Sequence, residues 1–133
     1  MRKSNVKFSG YRKEFFLDSA SAQSVWNQIS TSRGLSEWFA PMVDITGNDL
    51  HVYWDDAGDD RKALIVKLEP QRLIKWVWTD DPDSYLSMEI VFTELSRTIS
   101  LLVDDHDEGL DPETLDELWT NHMERLLSTL GLS

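Results

Sequence analysis

The sequence predicts an α+β fold, a curved antiparallel sheet of about six or seven strands wrapping a long C-terminal helix, with two short helices after the first strand. Three features predict it. Between Val43 and Val103, short β-rich runs alternate with turn chemistry. From Asp111 to Gly131 the apolar period becomes that of a helix, with start and stop signals at its ends. Ahead of both, one alternating run is followed by two brief helical patterns.

In the stretch from Lys7 to Leu17, residues Tyr11, Lys13, Phe15 and Leu17 fall on one side of an extended strand, and Arg12 and Glu14 on the other. Asp18, Ser19 and Ser21 offer N-cap oxygens for a helix reaching Ser30, with Val25, Trp26 and Ile29 at helical spacing. Thr31 or Ser32 caps a second helix, in which Leu35, Trp38 and Phe39 recur before Pro41 stops it.

Turn chemistry then appears at Gly47-Asn48-Asp49, Asp55 to Asp60, Pro70-Gln71, Asp80 to Ser84 and Ser96-Arg97, which predicts an antiparallel meander. Leu50, Val52 and Trp54 share a face, as do Leu64, Val66 and Leu68, and likewise Ile74, Trp76 and Trp78. Leu86, Met88, Ile90 and Phe92 form the next set, and Ile99, Leu101 and Val103 the last. Opposing positions such as Ser87, Glu89 and Thr93 read as solvated, so one face needs a cover.

The last segment supplies that cover. Asp111 reads as N-cap and Pro112 as first helical residue, with Glu113, Asp116 and Glu117 in the opening turns and Gly131 at the end. At 100° per residue, Leu115, Trp119, Met123, Leu126 and Leu130 occupy a stripe about 80° wide, flanked by His122 and Leu127. A helix about 30 Å long crosses several strands.

The 133 residues read as one domain over 1–133, with 41% hydrophobic and 28% charged residues. No cysteine is present, which excludes disulfides, thiolate metal sites and cysteine nucleophiles in this chain. No apolar stretch follows Met1, so a cytoplasmic protein without membrane insertion is expected. A formal charge of −11, with 13 basic residues scattered along the chain, disfavours nucleic acid and anionic membranes. Expected partners are a small hydrophobic ligand or another protein, with the chain a monomer or weak homodimer.

The order of elements resembles the helix-grip fold of the START-like superfamily, also called SRPBCC or Bet v-like. Val25-Trp26 and then Thr31-Ser32-Arg33-Gly34-Leu35-Ser36-Glu37-Trp38-Phe39-Ala40-Pro41 are similar to the helix pair of proteins related to the activator domain of the heat-shock chaperone ATPase. Glu69-Pro70 before Leu73-Ile74-Lys75-Trp76, Thr98 after a tight turn, and Leu118-Trp119 in the last helix fit the same branch. The acidic stretch Asp104 to Asp107 looks closest to small bacterial START-like proteins. The resemblance implies a cavity between sheet and last helix, used in different relatives for lipids, hormones, polyketides or a protein partner. It does not choose among them.

Six tryptophans stand out, and at least Trp76, Trp78 and Trp119 point between sheet and helix. Two readings compete. The rings either fill the core, or Trp54, Trp76, Trp78, Met88, Phe92, Trp119 and Met123 line an apolar pocket. His122 flanks the stripe, either as a polar contact or proton carrier in the cavity or as a partly exposed, hydrogen-bonded histidine, with Phe39, Ala40 and Pro41 as the lip of the entrance. No nucleophile or carboxylate partner is assigned to His122, so no catalytic set is read. Asp55 to Asp60 reads as a solvated hairpin tip, since its spacing does not match an EF-hand. Asp104 to Glu108 reads as a loop feeding the acidic helix start. No cofactor or metal is expected. The expected function is a non-catalytic binding module for a small apolar or amphipathic ligand, the alternatives being a protein-interaction domain resembling a chaperone activator and a cyclase- or hydrolase-type enzyme.

Overall fold

A computed structural model describes residues 10–17, 20–54, 58–107 and 109–132. Strand β1 (Gly10–Phe16) leads to helices α1 (Ala22–Ser30) and α2 (Ser32–Trp38). Strands β2 (Met42–Thr46), β3 (Asp49–Tyr53), β4 (Asp60–Glu69), β5 (Leu73–Trp78), β6 (Tyr85–Thr93) and β7 (Thr98–His106) follow, and α3 (Pro112–Thr129) closes the chain. The seven strands form one sheet in the order β1-β7-β6-β5-β4-β3-β2. Every neighbouring pair is antiparallel. The α+β architecture and the helix-grip arrangement read from the sequence both stand.

Caps set the helix boundaries. Ser21 Oγ accepts from the Ser24 amide at 3.1 Å, Thr31 Oγ1 from Gly34 at 2.9 Å, and Asp111 Oδ1 from Thr114 at 2.8 Å. The other two α1 cap candidates, Asp18 and Ser19, lie outside the described residues. Gly131 takes φ 75° after α3, the left-handed geometry that favours glycine at a helix end.

One inner face carries the core. Val52, Ile74, Trp76, Met88, Leu101 and Val103 of the sheet are fully buried, beneath Leu115, Trp119 and Leu126 of α3 and Val25, Ile29 and Leu35 of the short helices. Gly34 lets α2 lie directly on α1: an added Cβ would sit 2.2 Å from the Asn27 carbonyl oxygen and 2.6 Å from Gln28 Cα. Helix α2 also closes an edge of the sheet. Ser36 Oγ and Ser32 Oγ, one turn apart, each accept at 2.8 Å from alternate β2 amides, those of Val43 and Ile45.

Strand β4 departs from the predicted facing. Leu64, Val66 and Leu68 are 45%, 51% and 52% exposed, whereas Ala63 and Ile65 are buried. A bulge between Ile65 and Lys67 breaks the two-residue period, so these three residues do not share one face. Leu64 pairs with Val77 on the outer face, and past the bulge Leu68 pairs with Ile74 on the inner one. The inward set of β4 therefore begins with Arg61, Ala63 and Ile65. A second departure concerns 104–106, expected as loop: β7 continues through them because β1 and β6 both pair with it as far as His106.

Candidate functional site

The extra length of β7 places a carboxylate on the inner face. Inward positions run Ile99, Leu101, Val103 and then Asp105, which stands opposite Leu86 of β6 and Tyr11 of β1. Asp105 is buried, and its Oδ2 accepts from Trp119 Nε1 at 2.8 Å. That neutral donor does not offset the lost hydration, and burial pushes the Asp105 carboxyl up to about 6.

Asp105 lines a cavity of about 310 Å³. Its aromatic walls are Phe39 after α2, Trp54 after β3, Trp78 of β5 and Trp119 of α3. Leu86, Leu110 and Leu118 add aliphatic surface, and the polar lining is Asp105, Arg61, Asp107 and His122. A groove of about 400 Å³ adjoins it between α2 and α3, sharing Phe39, Trp54, Leu118 and His122.

The polar groups are held by specific partners. Arg61 Nε donates to both Asp80 carboxylate oxygens at 3.0 Å, Nη1 reaches Asp107 at 3.3 Å, and the guanidinium lies 4.4 Å over the Trp78 ring. His122 Nδ1 lies 2.9 Å from Arg125 Nη2. A guanidinium only donates, so Nδ1 accepts and the proton of the neutral ring sits on Nε2. Burial, reinforced by Arg125, pushes His122 down to about 4. Arg125 Nε also donates to the Trp38 carbonyl at 3.0 Å, tying α3 to α2 at the groove.

Two other hollows lack this construction. A depression of about 650 Å³ is lined, among the described residues, by the first turns of α3 from Pro112 to Asn121. Another, of about 400 Å³, involves Asp44, Asp49, His51 and Lys62 on the outer side of the sheet. Among the described residues no group of three or more His, Asp or Glu is placed to hold a metal ion.

The START-like superfamily domain matches residues 6–132, nearly the whole length. The chain belongs to the START-like superfamily.

Solved structures carry the same fold. A protein from Bacteroides fragilis is 27% identical, with 93% of this chain and 92% of that one covered at a TM-score of 0.65. The Aha1 dimer from Colwellia psychrerythraea is 14% identical with a TM-score of 0.72, covering 91% and 95% of the two chains. An AHSA1-like protein from Aeromonas hydrophila is 13% identical with a TM-score of 0.68, covering 93% and 95%. Comparison with curated proteins found no match.

Within this START-like chain, five of the residues singled out from sequence, Phe39, Trp54, Trp78, Trp119 and His122, meet at the cavity. Trp76, Met88 and Met123 are buried at 0%, 0% and 5% exposure and stand outside its lining, packed into the core. Phe92 shares the parity of Met88 but is 58% exposed at the end of β6, also outside the lining. Sequence reasoning missed Arg61, Asp105 and Asp107. Two signals pointed to the first two: Arg61 keeps step with Ala63 and Ile65, and Asp105 continues the period of Leu101 and Val103.

No helix among the described residues is long and apolar enough to cross a membrane.

Proposed function

We propose that this START-like domain is a non-catalytic binding module that holds a small apolar or amphipathic molecule in the cavity beneath α3. The observation that carries this reading is the 310 Å³ hollow, walled by rings from four separate segments and provided with a few polar groups at fixed positions. That is the usual make-up of a small-molecule site. Trp76, Trp38 and Met88 fill the interior elsewhere, so the tryptophans serve both core and cavity wall.

Native mass spectrometry of the gently purified protein tests the reading. A co-purifying small molecule is expected, lost on denaturation and absent from Leu110→Trp, which sets a large ring at the cavity wall. A protein that carries no adduct, and whose melting temperature no apolar compound raises, would count against it.

A second reading, a protein-contact domain, is favoured by the apolar side chains on the outer face of β4 and the edge strand β2: Leu64 is 45% and Met42 54% exposed. The named Aha1 and AHSA1-like structures share the fold alone. Pull-down with Leu64→Glu separates the readings, since an outer-face substitution that releases a partner leaves the cavity untouched.

A further inference from the structure

We propose that the cavity selects a primary ammonium with an apolar body, its cationic head set against the Asp105 and Asp107 carboxylates and its body against Trp54, Trp78, Trp119 and Phe39. The proposal rests on the binding-module reading and adds the ligand's charge and head group.

Charge accounting at the cavity supports it. The lining holds two carboxylates and one guanidinium. That guanidinium is already engaged by Asp80 and Asp107 and lies on Trp78, so little of its charge is left for an incoming anion. His122 adds no cation, because its Nδ1 accepts from Arg125 and burial keeps the ring neutral. Asp105, by contrast, accepts among the described residues from the neutral Trp119 indole, and the nearby Arg61 charge does not outweigh its burial.

A buried carboxylate with so little compensation is costly unless a cation comes to it. A primary ammonium brings three donors to the oxygens and a charge that also favours the faces of the neighbouring rings. An anionic head group would meet two carboxylates. A neutral alcohol could donate a hydrogen bond but would leave the charge of Asp105 uncompensated. The overall charge of −11 raises the local concentration of cations at the entrance.

Titration of the purified protein, followed by tryptophan fluorescence and calorimetry at neutral pH and low salt, with octylamine, octanol and octanoate separates these cases. Octylammonium is expected to bind about tenfold more tightly than octanol, as a charge-assisted hydrogen bond in a desolvated site allows, with octanoate weakest. Asp105→Asn keeps an oxygen for Trp119 and removes the charge. It should erase the octylammonium preference, bringing octylammonium affinity down to that of octanol. Octanol or octanoate binding as tightly as octylammonium overturns the ammonium proposal and leaves the cavity reading intact. Failure of all three probes to bind overturns both. Should Asp105→Asn not fold, the ranking of the three probes on the unmodified protein decides.

Discussion

Asp105 and His122 line the same cavity and are displaced in opposite directions, toward about 6 and about 4. The native state holds the Asp105 proton more tightly than the unfolded chain does. Its contribution to stability is therefore complete below about pH 4 and is lost as pH rises through 6. Asp105→Asn should gain on the unmodified protein by about 3 kcal/mol between pH 4 and pH 7.5, read as the difference between urea unfolding curves. A difference that does not change with pH would refute the assignment. For His122 the sign reverses: the unfolded chain binds the proton more readily, so the contribution is present above about pH 6.5 and lost as pH falls through 4. His122→Gln should gain on the unmodified protein by about 3 kcal/mol as pH falls across that window. The two slopes oppose each other, and each single variant should be more pH-dependent between 4 and 6 than the unmodified protein. Equal slopes in all three would refute the pairing.

Helices supply the next set of expectations. At the α1–α2 contact a methyl group on residue 34 has nowhere to go, since the nearest atoms are backbone. Gly34→Ala should cost about 2 kcal/mol or more, seen as a lower urea midpoint with an unchanged slope. An unaltered midpoint would mean that the helices separate easily. In α3, Trp119 is fully buried and supplies the donor for Asp105. Trp119→Ala should cost about 3–5 kcal/mol. A loss below about 1 kcal/mol would mark the ring as a loosely packed wall. Helix α3 is fixed to β1 as well: Tyr11 donates to Asp116 at 2.7 Å and Lys13 reaches the same carboxylate at 3.2 Å. Burial and the Asp116 carboxylate together push the Tyr11 hydroxyl up, so it remains a donor at neutral pH.

For the molecule as a whole, the described residues form one sheet, three helices and one buried cluster, which predicts cooperative unfolding. Far-ultraviolet circular dichroism and tryptophan fluorescence should report coincident urea transitions, and two separated transitions would show that α3 or the helix pair comes away alone. At this scale most of the architecture was legible in the residues. Asp111, Pro112 and Gly131 bound α3 because capping is local chemistry, and the Leu115–Leu126 stripe needs a sheet to lie on. The cavity was only half legible. Its rings were visible as an excess of tryptophan. Which rings face a void and which face one another, as Trp38 and Trp119 do at 6.0 Å, depends on how α2, α3 and the sheet meet.

The one-dimensional pattern thus determined strand and helix order, the capping residues, and the apolar face of α3, because each follows from interactions over a few residues. Tertiary structure decided the rest. The bulge at Ile65/Lys67 put Leu64 and Leu68 on opposite faces, and pairing of β7 with both β1 and β6 carried Asp105 into the interior. A carboxylate on the inner face of a strand is tolerated only where a donor from elsewhere reaches it, and here that donor is Trp119, one helix away and 2.8 Å distant.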